Sequence, residues 1–375
     1  MSKVKIISAA YGTKNAALVV TEKVQQLVDK GETRIAASNK LFGDPSPGHT
    51  KHLAINYSFN GVKLAGACKE HQTVAIASFP NANWMSRING SRKLSEINMP
   101  GTHDSCALFG GFMTQCQELS IAAQLILGVR FLDIRCRHLN NVFTIHHGSV
   151  YQKINFGDVV QQCIDFLVEN PSETIVMGVK RECKDDPKFW EIDACKDEGN
   201  TRSFEVTLEH YMHGAGNRWY VADTIPNLQE VRGKIVLVRR FEGKLGIPAY
   251  NGWKGDSIFT LNDDAPSETA LNKIRVQDCY KVAYFNGYDE KWKNIEKLLN
   301  EAAKGSTNVW YWNFTSGTSP GAPDLNNPRA TAIGKGGMNS RLKERLPEWG
   351  KKRVGTIILD FVSDDGLLDK IIAMN

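Results

Sequence analysis

From about residue 85 onward, short apolar runs alternate with stretches whose apolar residues recur at helical spacing. Eight runs have the length and content of strands, namely LSEINMPG, VRFLDIR, FTIHHG, TIVMGVKRE, KIVLVRRF, RVQDCYKV, NVWYWNF and GTIILDFV. Four amphipathic stretches between them are ELSIAAQLIL, FGDVVQQCIDFLVEN, FEVTLEHYMH and DEKWKNIEKLLNEAAK. This alternation is typical of βα units and predicts an α/β protein with an irregular (β/α)8 TIM-type barrel. The irregularity falls between KIVLVRRF and RVQDCYKV, where no clear helical pattern connects the strands.

The segment before this barrel has a different pattern. Short alternating runs such as VKIISAAYG and HLAINYSF are broken by the turn-forming sequence FGDPSPGH. We therefore expect a small β-rich domain over residues 1–82, followed by the barrel over 83–375. The runs YGTKN, VTEKVQQLV and LFGDPSPGHTKHLAINY resemble the C-terminal domain of some DnaJ-like co-chaperones, a resemblance that implies no catalytic residue.

The composition and net charge of the chain limit the kinds of molecule that we expect it to bind. The chain has 375 residues, 42% of them hydrophobic and 23% charged, with a net charge of +5. This mild, scattered charge argues against nucleic-acid binding but suits an anionic membrane or a phosphate-bearing substrate. The first residues, MSKVKIISAAYGTKN, lack the apolar core of a secretory signal, so we expect a cytoplasmic protein. Eight cysteines without CxxC spacing then predict free, mostly buried thiols rather than disulfides.

Charged and imidazole side chains recur where the predicted strands end. In a (β/α)8 barrel the carboxyl ends of the strands meet at one mouth and carry the catalytic groups. The residues at these ends are His103, Asp104, Asp133, Arg135, His147, Lys180, Arg240, Asp278, Tyr280 and Asp360. Two histidines can serve as general base and general acid, and an arginine can hold a phosphate without a metal ion. The set therefore suits attack on a phosphate ester.

Ordered sequence blocks carry a family resemblance. MPGTHDS, LDIRCR, IHHGSVY, FLVENPSETIVMGVKRE, RGKIVLVRRF, VQDCYKV, WNFTS and IILDF resemble the bacterial-type phosphatidylinositol-specific phospholipases C, in the family's order. The resemblance implies an intramolecular transfer that gives inositol 1,2-cyclic phosphate and diacylglycerol. It implies that His103 is the general base, oriented by Asp360, and that His147 is the general acid, paired with Asp104. The remaining implied catalytic residues are the phosphate-binding Arg135 and, behind it, Asp133.

The same resemblance implies a pocket for the inositol ring. Lys180, Arg240 and Asp278 would bind its hydroxyls, and Tyr280 would pack against it. The choice between Arg239 and Arg240 is open from the sequence. A carboxylate beside the ring disfavours 4- or 5-phosphates by like-charge repulsion, so unphosphorylated phosphatidylinositol is expected as substrate. Glycosyl-phosphatidylinositol anchors fit the same chemistry.

Arg135 also bears on the cofactor. Calcium-dependent relatives have an acidic residue where this arginine stands, so the resemblance implies catalysis without calcium or any other metal. Two alternatives stay open: a barrel that binds inositol lipid without cleaving it, and an enzyme similar to the glycerophosphodiester phosphodiesterases, which rely on acidic metal ligands. A measurement of activity in excess chelator separates metal-dependent catalysis from metal-independent catalysis.

A loop with aromatic residues suggests a membrane contact. GIPAYNGW, residues 246–253, contains Ile247, Tyr250 and Trp253 at the expected barrel mouth. Aromatic side chains favour the headgroup level of a bilayer, so these three residues are candidates for contact with a phosphatidylinositol-containing membrane.

Overall fold

A computed structural model describes residues 4–59, 62–76, 81–184, 195–263, 272–283, 285–319, 327–363 and 366–375. The chain divides into two compact units, Met1–Pro80 and Asn81–Asn375. Within the part that the structure describes, no helix combines the length and the apolar character needed to span a bilayer.

The first unit contains two small sheets and two helices. Its elements are β1 (Val4–Gly12), β2 (Ala17–Val19), α1 (Thr21–Asp29), β3 (Arg34–Ala36), α2 (Asn39–Phe42), β4 (His52–Phe59), β5 (Val62–Lys69) and β6 (Thr73–Ala75). Four strands form an antiparallel sheet in the order β2-β1-β4-β5, and β3 pairs with β6. Tyr11, Val24 and Leu53 are fully buried in its core. Alternating apolar residues on β1 and β4 supply one face of that core, as expected for a sheet covered on one side.

The second unit contains the following strands and helices. They are β7 (Met99–Thr102), α3 (Ile121–Leu127), β8 (Phe131–Leu139), β9 (Val142–His147), β10 (Val150–Asn155), α4 (Phe156–Glu169), β11 (Ile175–Arg181), α5 (Phe204–Gly214), β12 (Trp219–Tyr220), α6 (Leu228–Val231), β13 (Ile235–Arg240), β14 (Ile247–Pro248), β15 (Ile258–Leu261), β16 (Ile274–Gln277), α7 (Gly287–Lys304), β17 (Trp310–Phe314), α8 (Pro328–Ile333), α9 (Met338–Arg345), β18 (Thr356–Leu359) and α10 (Leu367–Ala373).

One curved sheet organises this unit, in the order β12-β13-β11-β8-β7-β18-β17-β16-β15. All neighbours from β13 to β16 pair in parallel, so their carboxyl ends lie along one edge. Successive residues face opposite sides: Phe131 and Val176 pack with the tryptophans of β17, whereas Leu132 and Met177 pack against the outer helices. The predicted irregular α/β barrel is confirmed. Between β13 and β16, the described residues form the short strands β14 and β15 and no helix.

One predicted barrel strand lies elsewhere. FTIHHG forms β9, which pairs antiparallel with β8 through Leu139 and Val142, so its prediction as a parallel barrel strand is wrong. The cause is the two-residue turn Asn140-Asn141, whose φ angles are 50° and 61°. Two successive positive φ angles fold a strand back on itself, and asparagine tolerates them better than most residues. His147 therefore ends a hairpin rather than a barrel strand.

The prediction of eight free thiols is also wrong for two cysteines. Cys183 and Cys195 form a disulfide, with their Cα atoms 4.7 Å apart. An isolated bridge between Lys184 and Lys196 brings them together, a contact that spacing alone does not reveal. The other six cysteines are free, and four of them are buried.

Candidate active site

A pocket opens at the carboxyl edge of the parallel strands. It has a volume of about 400 Å³, within the range of small-molecule sites. Eight of the ten residues predicted at the strand ends line it, and the other two, Asp104 and Asp133, are buried side chains that contact Arg135. The lining residues from the predicted set are His103, Arg135, His147, Lys180, Arg240, Asp278, Tyr280 and Asp360.

The first histidine pair joins two adjacent strand ends. His103 follows β7 and Asp360 follows β18, and these strands pair in parallel. The Nδ1 of His103 lies 2.8 Å from Oδ1 of the fully buried Asp360. The Nε2 of His103 lies 2.6 Å from Nη2 of Arg135. Since a guanidinium only donates, this Nε2 accepts and the ring proton is on Nδ1.

Electrostatics favour protonation of this histidine. Burial lowers the pKa of His103, but the charge and hydrogen bond of Asp360 and the charge of Asp133 raise it, and the net pKa is above the ordinary histidine value. The positive charge of Arg135 lowers the pKa of His103. A base of this kind accepts a proton more readily than a free imidazole.

The second pair is built differently. His147, at the end of β9, places its Nδ1 2.8 Å from the carbonyl oxygen of Thr114 and 3.1 Å from Oδ2 of Asp104. Only the Thr114 contact is a hydrogen bond, and both carboxylate oxygens of the buried Asp104 lack a hydrogen bond. Burial raises the pKa of Asp104, and the nearby Arg135 and His147 only partly offset it. Asp104 has a φ of 40°, so the chain turns sharply between it and His103.

Asp133 holds two arginines in the pocket. Its Oδ2 accepts from Nε and Nη2 of Arg135 at 3.2 and 3.1 Å, and its Oδ1 accepts from Nη1 of Arg240 at 3.0 Å. Burial opposes ionisation, but the two guanidinium groups outweigh it and hold the pKa of Asp133 well below its usual range. The carboxylate therefore stays charged and keeps both guanidinium groups in place.

The wall predicted to bind inositol forms a linked network. The guanidinium of Arg240 lies 3.6 Å from the ring centroid of Trp253, and Nε1 of Trp253 donates to Oδ2 of Asp278 at 3.3 Å. Lys180 contacts Glu182 at 2.6 Å. Tyr280, 38% exposed, lines the mouth.

The structure also separates the neighbouring arginines. Arg240 faces the pocket, whereas Nε of Arg239 donates to the carbonyl of Leu245 outside it. Arg181, next to Lys180, pairs with Asp197 at 2.6 Å.

Sequence reasoning missed several residues of this site. Glu182 lies two positions after Lys180 and contacts both Lys180 and Arg135, a strand-face spacing that could have indicated it. Thr114 and Cys116 lie between β7 and α3 and carry no sequence signal. The fully enclosed ammonium of Lys291 donates to the carbonyls of Cys279 and Phe314, and burial lowers its pKa to about 8.

One of the three membrane-contact candidates is wrong. Ile247 is fully buried in β14, where it packs inside the barrel. Trp253 is half-buried in the pocket wall beside Arg240, and its contact with a membrane stays a prediction. Tyr250 is 46% exposed, as expected. Other exposed apolar side chains near the strand ends are Phe112, Met113 and Phe285.

Comparisons with known proteins agree on one family. Residues 92–241 match the model of the phosphatidylinositol-specific phospholipase C, X domain. A 1-phosphatidylinositol phosphodiesterase of Staphylococcus aureus is 30% identical over 308 residues, which are 78% of this chain and 91% of that protein. A 1-phosphatidylinositol phosphodiesterase of Listeria monocytogenes is 26% identical over 302 residues, 76% of this chain and 82% of that protein.

Solved structures show the same fold. A crystal structure of the S. aureus phosphatidylinositol-specific phospholipase C has a TM-score of 0.67 at 28% identity and covers 79% of this chain and 97% of that chain. The L. monocytogenes phospholipase has a TM-score of 0.58 at 24% identity, covering 79% and 98%. From the extent of the match to the S. aureus protein, this chain belongs to the phosphatidylinositol-specific phospholipase C X-domain family.

Proposed function

We propose that the protein cleaves phosphatidylinositol to diacylglycerol and inositol 1,2-cyclic phosphate. The observation that carries this proposal is that two histidines, each with its Nδ1 held by an acceptor, line one pocket together with Arg135. The curated relatives are named 1-phosphatidylinositol phosphodiesterases, which supports the same substrate.

The first step is proton removal by His103. With its Nδ1 proton donated to Asp360, its Nε2 takes the proton of the inositol 2-hydroxyl. The oxygen of that hydroxyl then forms a bond to phosphorus. In the free protein Arg135 contacts the same Nε2, so a bound phosphate draws this guanidinium onto its non-bridging oxygens and frees the base.

The second step is proton donation by His147. The bond between phosphorus and the glycerol oxygen breaks, and protonated His147 supplies a proton to that oxygen. The buried Asp104 carboxylate, 3.1 Å from Nδ1, stabilises the imidazolium form before the transfer. At the end His103 carries the proton of the hydroxyl and His147 is neutral.

We propose that this reaction needs no metal ion. The acids nearest the phosphate position already pair with a guanidinium: Asp133, Asp104 and Glu182 lie 3.1, 3.4 and 3.8 Å from Arg135. A fixed positive charge there repels a hard divalent cation and supplies the charge stabilisation such an ion would give. The same pairing disfavours a glycerophosphodiester phosphodiesterase-like reaction on acidic metal ligands.

We propose peripheral association with membranes that contain phosphatidylinositol. Support comes from the exposed Tyr250, Phe112, Met113 and Phe285, and from S. aureus phospholipase structures that concern membrane binding. The preference for unphosphorylated headgroups, the cytoplasmic location and the co-chaperone resemblance of the first unit stay predictions.

One assay tests the proposed reaction. Phosphatidylinositol vesicles are incubated with the full chain in excess chelator, and the phosphorus product is identified by ³¹P NMR. We expect the cyclic phosphodiester. Arg240→Ala should lower kcat/KM by about 100-fold, because it removes charge-assisted contacts in the pocket.

Arg239→Ala is the matched control and should stay within about twofold of the unmodified protein, because that side chain points away from the pocket. Absence of product, or activity that only added calcium restores, would contradict the proposal.

A further inference from the structure

A thiol lies between the two histidine pairs. The fully buried Cys116 places its Sγ 3.8 Å from Nδ1 of His147. This sulfur, that nitrogen and a carboxylate oxygen of Asp104 all lie within 4.8 Å of one another. Cys116 forms a second such group with His103 and Asp360. The proposed reaction uses both histidines and gives the sulfur no role.

Asp104 shows that the first group is incomplete. Its carboxylate is fully buried, yet neither oxygen has a hydrogen bond. By contrast, Asp360 already accepts from His103 at 2.8 Å, and Arg135 already contacts the other nitrogen of that ring. Asp104 therefore offers two carboxylate oxygens without a hydrogen bond beside Cys116 and His147, one of them 3.4 Å from Arg135, whereas Asp360 offers one.

Two of the donor separations are close to those of a tetrahedral zinc site, and the third is bounded at 4.8 Å. With Zn–S of about 2.3 Å and Zn–N and Zn–O of about 2.0 to 2.1 Å, tetrahedral angles put sulfur and nitrogen about 3.5 Å apart and nitrogen and oxygen about 3.3 Å apart. The observed separations are 3.8 and 3.1 Å. Both separations lie within a few tenths of an ångström of these values, and the Cys116 Sγ lies within 4.8 Å of the Asp104 carboxylate oxygen.

We propose that Cys116, His147 and Asp104 bind a soft divalent cation such as Zn²⁺, and that this binding inhibits the enzyme. The inhibition rests on the proposed function, whereas the binding does not. Three protein ligands leave a fourth position open toward the pocket.

The donor set selects against hard cations. One thiolate, one imidazole and one carboxylate suit zinc, whereas calcium takes six to eight oxygen ligands. Arg135 lies 3.4 Å from Oδ2 of Asp104, which opposes a cation. The thiolate and the carboxylate together carry two negative charges and neutralise Zn²⁺ within the group. Calcium gains no such thiolate bond.

Binding would disable the general acid. The thiol proton of Cys116 leaves to solvent when the sulfur binds the metal ion. The proton on Nδ1 of His147, which is donated to the Thr114 carbonyl, is also released to solvent. The only proton left on the ring of His147 is then the one on Nε2. A ring with a metal ion on Nδ1 cannot hold protons on both nitrogens. His147 then has no imidazolium proton to give to the departing glycerol oxygen.

The test measures cation inhibition and binding on the full chain. After chelator treatment, phosphatidylinositol cleavage is followed during titration with Zn²⁺ and, separately, Ca²⁺. We expect Zn²⁺ to abolish activity, chelator to restore it, and Ca²⁺ to have no effect. Cys116→Ser and Cys116→Ala should each raise the half-inhibitory Zn²⁺ concentration by at least about tenfold, each relative to its own chelated rate.

Cys163→Ala is the matched control, because Cys163 is an equally buried free thiol on α4 that lies outside the group. It should keep the zinc sensitivity of the unmodified chain. Co²⁺ provides a readout without catalysis: a thiolate-to-cobalt charge-transfer band should appear in the unmodified chain and in Cys163→Ala, and be absent from both Cys116 variants.

Equal zinc sensitivity in the Cys116 variants, or no cobalt band in the unmodified chain, would overturn the site. An unmodified chain that cleaves no phosphatidylinositol but shows the cysteine-dependent band would overturn the proposed function and leave the site standing.

Discussion

The two histidine pairs of the pocket differ in what holds the ring. His103 is held by Asp360, and the two residues follow adjacent parallel strands. His147 is at the end of a hairpin, and its Nδ1 bonds the carbonyl of Thr114, while Asp104 lies 3.1 Å away without a hydrogen bond. One ring is fixed by a charged acceptor on the barrel framework, and the other by a neutral acceptor in a connecting segment.

This difference matches the work proposed for each ring. A base gains from a hydrogen-bonded carboxylate, because the negative charge stabilises the proton that the ring accepts. An acid must give its proton away, and a strong ionic hydrogen bond would hold that proton back. A neutral carbonyl fixes the tautomer, and a nearby carboxylate supplies charge without a direct bond.

The largest expected effect comes from removing either ring. His103→Ala and His147→Ala should each lower kcat on phosphatidylinositol by about 10²- to 10⁴-fold, the range of general acid or base catalysis. The double variant should lose much less than the product of the two factors, because groups that act together are not additive. Single-turnover cleavage rates measure these losses.

A substrate with a better leaving group separates the two roles. An inositol phosphate ester of a nitrophenol needs no proton on the departing oxygen, so His147→Ala should recover most of its activity there while His103→Ala should not. Equal losses for both variants on this ester would break the assignment of base and acid.

A smaller and unequal effect is expected for the carboxylates. Asp360→Asn should lower kcat by roughly 100-fold or more, because it removes the charge and the tautomer control of the base. Asp104→Asn should lower it by only about tenfold, because the Thr114 carbonyl still holds the ring of His147. Steady-state kinetics on vesicles, with thermal unfolding as a check on folding, measure both values. Equal losses would mean that the two pairs act alike.

The sequence predicted the first pair more readily than the second. Parallel strands place their carboxyl ends along one edge, so a histidine after β7 and an aspartate after β18 meet whenever those strands pair. The hairpin that carries His147 depends on the positive φ angles of Asn140 and Asn141, and the strand pattern of FTIHHG gave no sign of it. Periodicity reports which residues are apolar, not the direction of the next strand.

Other parts of the site were beyond prediction because they depend on backbone atoms or shared contacts. The acceptor for His147 is the carbonyl of Thr114, and every residue type has a carbonyl. Asp133 contacts both Arg135 and Arg240, a three-part arrangement visible only in coordinates. Ile247 looked like an exposed loop residue, but the two-residue strand β14 pairs with β13 and buries it.

The smallest effect is a shift in pH dependence. Burial lowers the pKa of His103, whereas the charge and hydrogen bond of Asp360, with the charge of Asp133, raise it, and the net pKa lies above the ordinary histidine value. A base must be unprotonated to act, so kcat/KM falls as the pH drops through this raised pKa. Asp360→Asn removes the main contribution that raises the pKa of His103, and the acidic limb of the kcat/KM profile should move to lower pH.

Asp104→Asn is the control for this shift and should leave the acidic limb in place, because Asp104 is not among the main influences on the pKa of His103. A limb that moves with Asp104→Asn and stays fixed with Asp360→Asn would exchange the roles of the two pairs.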